Sequence, residues 1–252
     1  MFFRSIIYTL GILLFASGAL GQDAQAEAKA ADSKKNVRPG AIKTVDADGS
    51  STMSRVAPGK PVQYLYRFEQ PDFLVSRLTI MHDEKGRGTI EFDKRGYGGT
   101  VTDPIAIAPS VMEKITGLYR ELNFLESSEV YQDSRDYSHL GNATLRVTSG
   151  EKTRTEKINW TQNKLAKEIV DQYRKIGTQH VWTFDIMLAR ENQPLETPKL
   201  MNNLKGLIGR NEIADPQGML ALLDGLANDE RIPLMARNEA TRVAAGIRKK
   251  KD

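Results

Sequence analysis

"VSRLTIMHDEKGRGTIEF", residues 75–92, is the stretch on which the fold turns. It places His82, Asp83 and Glu84 and two closely spaced glycines between apolar runs. A metal site would draw on His82, Asp83 and Glu84, but neighbouring residues on a strand point to opposite faces and do not converge. The glycines Gly86 and Gly88 lack the spacing of a phosphate-binding loop. A reversing backbone needs what His82, Asp83, Glu84, Lys85 and Gly86 supply, because Asp accepts local backbone hydrogen bonds and Gly adopts positive φ. The stretch therefore predicts two strands, Val75–Met81 and Arg87–Phe92, joined by a turn. Ile90 and Phe92 point inward, and His82 lies in the exposed turn, where its replacement changes stability little.

Working outward, "VQYLYRFE" (Val62–Glu69) alternates apolar Val62, Tyr64, Tyr66 and Phe68 with polar neighbours, the mark of a half-buried strand. "GTVTDPIAIAP" is a fourth strand placed at a sheet edge by Pro104. Ser110 and Glu113 spell a capping box before the apolar series Val111, Ile115, Leu118 and Leu122, so a short helix follows. After a polar loop, "ATLRVTS" and "KTRTEKINW" flank Gly150 and Glu151 as a hairpin. Leu165, Ile169, Tyr173, Ile176, His180, Phe184 and Met187 recur at helical spacing over residues 163–190, with Gly177 marking a kink or division. The fold class is α+β: an antiparallel sheet of about five to six strands, packed by one short and one long helix over residues 59–194.

Pro194 and Pro198 end the long helix, and residues 195–252 form a C-terminal helical segment. Thr197 before Pro198 and Asp215 before Pro216 are its caps. Within it, Asp229, Arg237, Ala240, Ala244 and Ile247 give residues 215–249 a pattern that resembles a HEAT-type helical hairpin. HEAT units serve as interaction scaffolds, so the resemblance implies a partner-binding role. A solenoid needs about three such units, and only one is visible, so the helices are expected to cap the sheet domain.

The amino terminus combines Arg4, an apolar run from Ile6 to Leu20 and small residues ending at Gly21, the pattern of a secretory signal peptide over residues 1–21. Residues 22–58 have no aromatic residue and no periodicity, and read as a disordered tether. The chain has no cysteine, so neither a disulfide nor a thiolate zinc site is available. Its net charge of +4 is spread along the sequence, and the one basic run, Arg248–Lys251, suits a helix end. Nucleic acid, which needs a basic face, is not an expected partner. No motif calls for a cofactor or a metal.

The polar loop offers Asp133, Asp136 and His139 as a carboxylate–imidazole group, but no nucleophile motif accompanies them, and they are assigned to a connecting loop. His180 is read as a satisfied core histidine. Trp160, Trp182, Tyr64 and Tyr66 could line a ligand groove, although aromatics at such spacing usually build core. The sequons at Asn142 and Asn159 fall in strand pattern and carry no weight. The leading expectation is an exported, periplasmic or secreted, non-catalytic binding or interaction protein with a protein or envelope partner. The alternatives are an extracytoplasmic hydrolase assembled around Asp136 and His139, and a structural envelope protein tethered to a membrane by an uncleaved amino terminus.

Overall fold

The computed structural model describes residues 61–250; the expected signal peptide and the tether lie outside the described residues. Six strands come first in space: β1 (Val62–Glu69), β2 (Val75–Asp83), β3 (Arg87–Lys94), β4 (Thr100–Ala106), β5 (Asn142–Ser149) and β6 (Lys152–Ile158). They form one antiparallel sheet in the order β4-β3-β2-β1-β5-β6. Alternation sets the register: Tyr66 lies between Ile80 of β2 and Leu145 of β5, all three buried on one face. Pro104 sits on edge strand β4, as its missing donor requires, while the other edge, β6 ("KTRTEKI"), carries four charged residues.

The turn after β2 is built as the sequence implies. Asp83 Oδ1 accepts the backbone N–H groups of Lys85 (2.8 Å) and Arg87 (2.9 Å), and Gly86 has φ +74°. Gly88 is needed for another reason: a Cβ there would lie 1.8 Å from the Met81 carbonyl oxygen across the hairpin. His82, however, is not in the turn. β2 runs on to Asp83, and His82 continues the inward parity of Leu78 and Ile80, 3% exposed. Its ring stacks on Tyr64 (5.1 Å), with Nδ1 2.8 Å from the Asp83 carbonyl and Nε2 2.8 Å from the Tyr173 hydroxyl. The expectation that His82 is exposed and dispensable is therefore corrected: removing it would leave a buried hydroxyl without its partner.

Helix α1 (Pro109–Glu121) begins with proline in its first turn, and Ala108 occupies the cap position. Because the chain is already helical at Pro109, Ser110 falls inside the helix, and the expected Ser110–Glu113 capping box does not form. Helix α2 (Lys164–Asn192) is capped by Asn163, whose side chain accepts from the N–H groups of Leu165 and Ala166, each at 3.0 Å. Gly177 does not break it. A Cβ at that position would come within 2.8 Å of Leu78 Cδ1, so the glycine is a notch that lets the helix settle on β2.

α2 is about 43 Å long at 1.5 Å per residue, and it serves two cores. Its first half buries Ile169, Tyr173 and Ile176 against the sheet and α1. Its second half buries Trp182 and Ile186 against α3 (Thr197–Gly209), α4 (Leu220–Ala227) and α5 (Leu234–Lys249). Ile186, not the expected Met187, carries the stripe there; Met187 is 39% exposed. The helical segment thus does not simply cap the sheet but closes a second core against α2.

Asp229, in the turn between α4 and α5, fastens this arrangement. Its buried carboxylate accepts from Arg190 of α2 and from the Arg231 backbone (3.0 Å) and guanidinium (2.9 Å). Those donors hold its pKa well below the usual carboxylate range. Asp215 caps as expected, accepting the Gly218 N–H at 3.0 Å. Thr197 does not cap. It is fully buried and donates to the Pro194 carbonyl (2.7 Å), because a short 3-10 turn at Pro194–Glu196 already leads into α3.

Candidate functional site

The end of β1 and the start of β2, the middle of α2 and helix α3 border an open groove of about 820 Å³. That size lies within the range of about 300–1,000 Å³ usual for ligand sites. Its floor is formed by buried Tyr66, Leu78 and Trp182, and its rim by Phe73, Leu74, Leu140 and Trp160, which are between 38% and 59% exposed. Large apolar side chains gathered around one concavity differ from singly scattered surface residues, which need no explanation.

Each wall is held by identifiable contacts. Buried Gln70, at the end of β1, donates through Nε2 to the carbonyls of His139 (2.6 Å) and Ser138 (3.2 Å). This ties the 3-10 turn Ser138–Leu140 to the β1–β2 connection and sets Leu140 on the rim. Gly141, at φ +101°, packs so closely on Phe68 that a Cβ would lie 2.2 Å from its ring. On the α2 side, the Trp182 indole N–H donates to the Leu200 carbonyl (2.9 Å) and anchors α3. Lys94 and Asp185 form an ion pair under the opposite wall.

The loop residues singled out as a carboxylate–imidazole group serve this wall. Asp133 Oδ1 accepts the Arg135 N–H (3.0 Å), and Asp136 Oδ1 accepts from the Ser138 N–H (2.8 Å) and Asn159 Nδ2 (2.9 Å). These bonds lower both carboxyl pKa values, the backbone donors contributing most. Asp136 and His139 share no hydrogen bond among the described residues; the His139 ring lies 5.9 Å from Tyr137, which packs at 4.9 Å on Trp160. The effect of the loop is to present Trp160 to the groove. Asn159, one of the two sequon asparagines, is bound by Gln132 and Asp136 and so is engaged in this framework.

Three of the four aromatics named from sequence, Tyr66, Trp160 and Trp182, meet at the groove; Tyr64 is instead buried between His82 and Tyr119. The sequence did not single out Arg174, Leu74, Phe73 or Leu140, whose convergence depends on the β1–β5 pairing and on the path of α2. The chain has three histidines, and none lines the groove. His180 is not a core residue: partly exposed, its Nε2 meets Asp103 Oδ2 at 2.9 Å beside a separate cavity of about 180 Å³. The groove brings apolar surface and a few polar groups together, an arrangement suited to holding a ligand.

Among the described residues, no group of three His, Asp or Glu side chains is placed to hold a metal ion, and no helix is long and apolar enough to cross a membrane. No family model matches the chain, and no curated protein matches it either.

Proposed function

We propose that this is a non-catalytic binding protein that acts after export, with the groove between the sheet and α2 as its ligand site. The observation that carries the reading is the apolar groove itself, rimmed by Phe73, Leu74, Leu140 and Trp160 on walls that hydrogen bonds hold in place. A preformed wall lowers the ordering cost of binding. Export rests on the amino-terminal pattern of charge, apolar run and small residues. The HEAT-like character of residues 215–249 supports a partner-facing role for the helical segment as well.

The test is a neutral solvatochromic dye titrated into the protein and into Leu74→Glu. Leu74 is 59% exposed, so the substitution should leave the melting temperature unchanged. A carboxylate on the rim should weaken dye binding about tenfold or more, since closing a ligand over it desolvates the charge. Equal binding by the two proteins, or no binding by either, would sink the proposal.

A further inference from the structure

The groove's lining holds two side chains of the charged type, Arg174 and Asp185, and they differ in how they are compensated. Asp185 is paired with Lys94, with side chains only 20% and 17% exposed, so that end of the groove is neutral. Arg174 has Asp171 at 4.0 Å, and the other oxygen of that carboxylate is held by Lys167 at 2.6 Å. Two cations therefore share one carboxylate. The groove adjoins a smaller cavity lined by Lys167, Asp171, Arg174 and Trp160, so this excess positive charge lies where one concavity passes into the other.

A second observation falls at the same place. Tyr66 lines the groove and is 1% exposed, and its hydroxyl makes no hydrogen bond of normal geometry, although the Arg174 guanidinium lies beside it. A buried, unsatisfied hydroxyl costs stability unless something else uses it. The Arg174 guanidinium is near enough to draw the phenol's pKa down against burial, which pushes it up to about 12. The same guanidinium lies 5.8 Å from the Phe68 ring, so its position is set by packing as well as by charge. An anion placed here would meet a strong, pre-oriented donor, while the rest of the lining offers almost only apolar contact.

We infer that the ligand is a single-chain amphiphile with an anionic head, its hydrocarbon chain lying along the groove and its head group on Arg174. This rests on the groove being a ligand site and adds the ligand's chemistry. A carboxylate and a phosphate head would both satisfy Arg174, and the experiment separates them.

The chain has two tryptophans, Trp160 and Trp182, and both line the groove, so intrinsic fluorescence reads occupancy directly. The full-length protein is titrated with dodecanoate, dodecyl phosphate and dodecyltrimethylammonium below their micelle-forming concentrations. One or both anions should bind about tenfold or more tighter than the ammonium, as a charge-assisted hydrogen bond requires. The tighter anion identifies the head group, and added salt should narrow the gap. Arg174→Gln should erase the preference, chiefly by weakening the anions; Arg174→Lys should keep part of it. Equal affinities for all three in the native protein, or a preference that survives Arg174→Gln, would overturn the inference while the groove reading stands. If none of the three binds but the neutral dye does, the inference also fails; if the dye does not bind either, the failure lies with the proposed function.

Discussion

The sheet half of the molecule buries Tyr64, Tyr66, Tyr119, Tyr131, Tyr173 and His82, whereas the hydrophobic cluster of the helical half, Trp182 apart, consists of aliphatic, methionine and alanine side chains. The aromatic core gains from stacking, with Tyr66 and Tyr173 4.9 Å apart and nearly parallel. It also carries hydroxyl groups that must be satisfied, and those of Tyr66, Tyr119 and Tyr131 have no partner. The aliphatic core avoids that cost and relies on close approach instead: Ala236, Ala240 and Ala244 face inward on α5, with Leu223 and Leu226 inward on α4. Its polar anchor, Asp229, sits at the margin of this core, where two arginines compensate it. The two halves should therefore differ in how they respond to substitution and to pH.

The largest effect is expected from Tyr173→Ala, which removes a stacked ring and leaves His82 without its donor. It should cost about 3–5 kcal/mol, against about 2–5 for Leu204→Ala in the helical core. Chemical denaturation followed by both near- and far-ultraviolet dichroism checks the pair. Because α2 runs through both cores, each variant should unfold in one transition. Two separated transitions would break the idea that α2 couples them.

Next in size is His82→Ala. With the Tyr173 hydroxyl left unpaired, it should cost about 1–3 kcal/mol before any cavity is counted. The same histidine gives the sheet half a pH response. Burial lowers the pKa of His82 from its ordinary 6.5, partly opposed by the Asp83 carbonyl and carboxylate. The unfolded chain then takes up a proton that the folded chain resists, so stability is complete above about pH 6.5 and falls as pH is lowered through it. Melting temperatures of native and His82→Ala protein between neutral and mildly acid pH should converge.

Asp229 has the same sign in another window. Its depressed carboxyl contributes stability above the unfolded carboxylate range, and the contribution is lost as pH falls through and below that range. Asp229→Asn should flatten the acid limb of the denaturation curve without changing the limb near neutrality. If it altered the neutral limb, the separation of the two responses would be wrong.

The smallest effect should come from Ser110→Ala. As a first-turn residue of α1 whose helix has no side-chain cap, it should change stability by no more than about 0.5 kcal/mol. A loss of about 1 kcal/mol would restore it as a cap.

Much of the fold was legible because periodicity reports local burial. Tyr64 and Tyr66 on β1, Ile90 and Phe92 on β3, and Ile169 and Tyr173 on α2 all face the core to which their spacing assigns them. His82 was misplaced because residue type was weighed above parity, although it follows Leu78 and Ile80 in strict alternation. Ser110 and Thr197 were misread for a related reason: each is cap chemistry beside a proline, and the helix start is set by the proline and the turn before it. The groove was less legible. Residue type alone makes Trp160 and Trp182 candidates for a groove, but their meeting depends on β6 ending beside α2, which no local pattern encodes. Arg174 carried no signal at all, since an arginine one residue past Tyr173 lies off the apolar stripe and reads as ordinary helix surface.

Pro104 on one outer strand and the charges of "KTRTEKI" on the other also bear on how molecules of this protein meet one another. A sheet with open, flat margins recruits further strands and can grow into fibrils. Here one margin lacks a backbone donor, and the other would set lysines and arginine against an incoming strand. Self-assembly by lengthening the sheet is thereby discouraged at both ends, and a crowded solution of this protein should remain free of cross-β aggregates while its native fold persists.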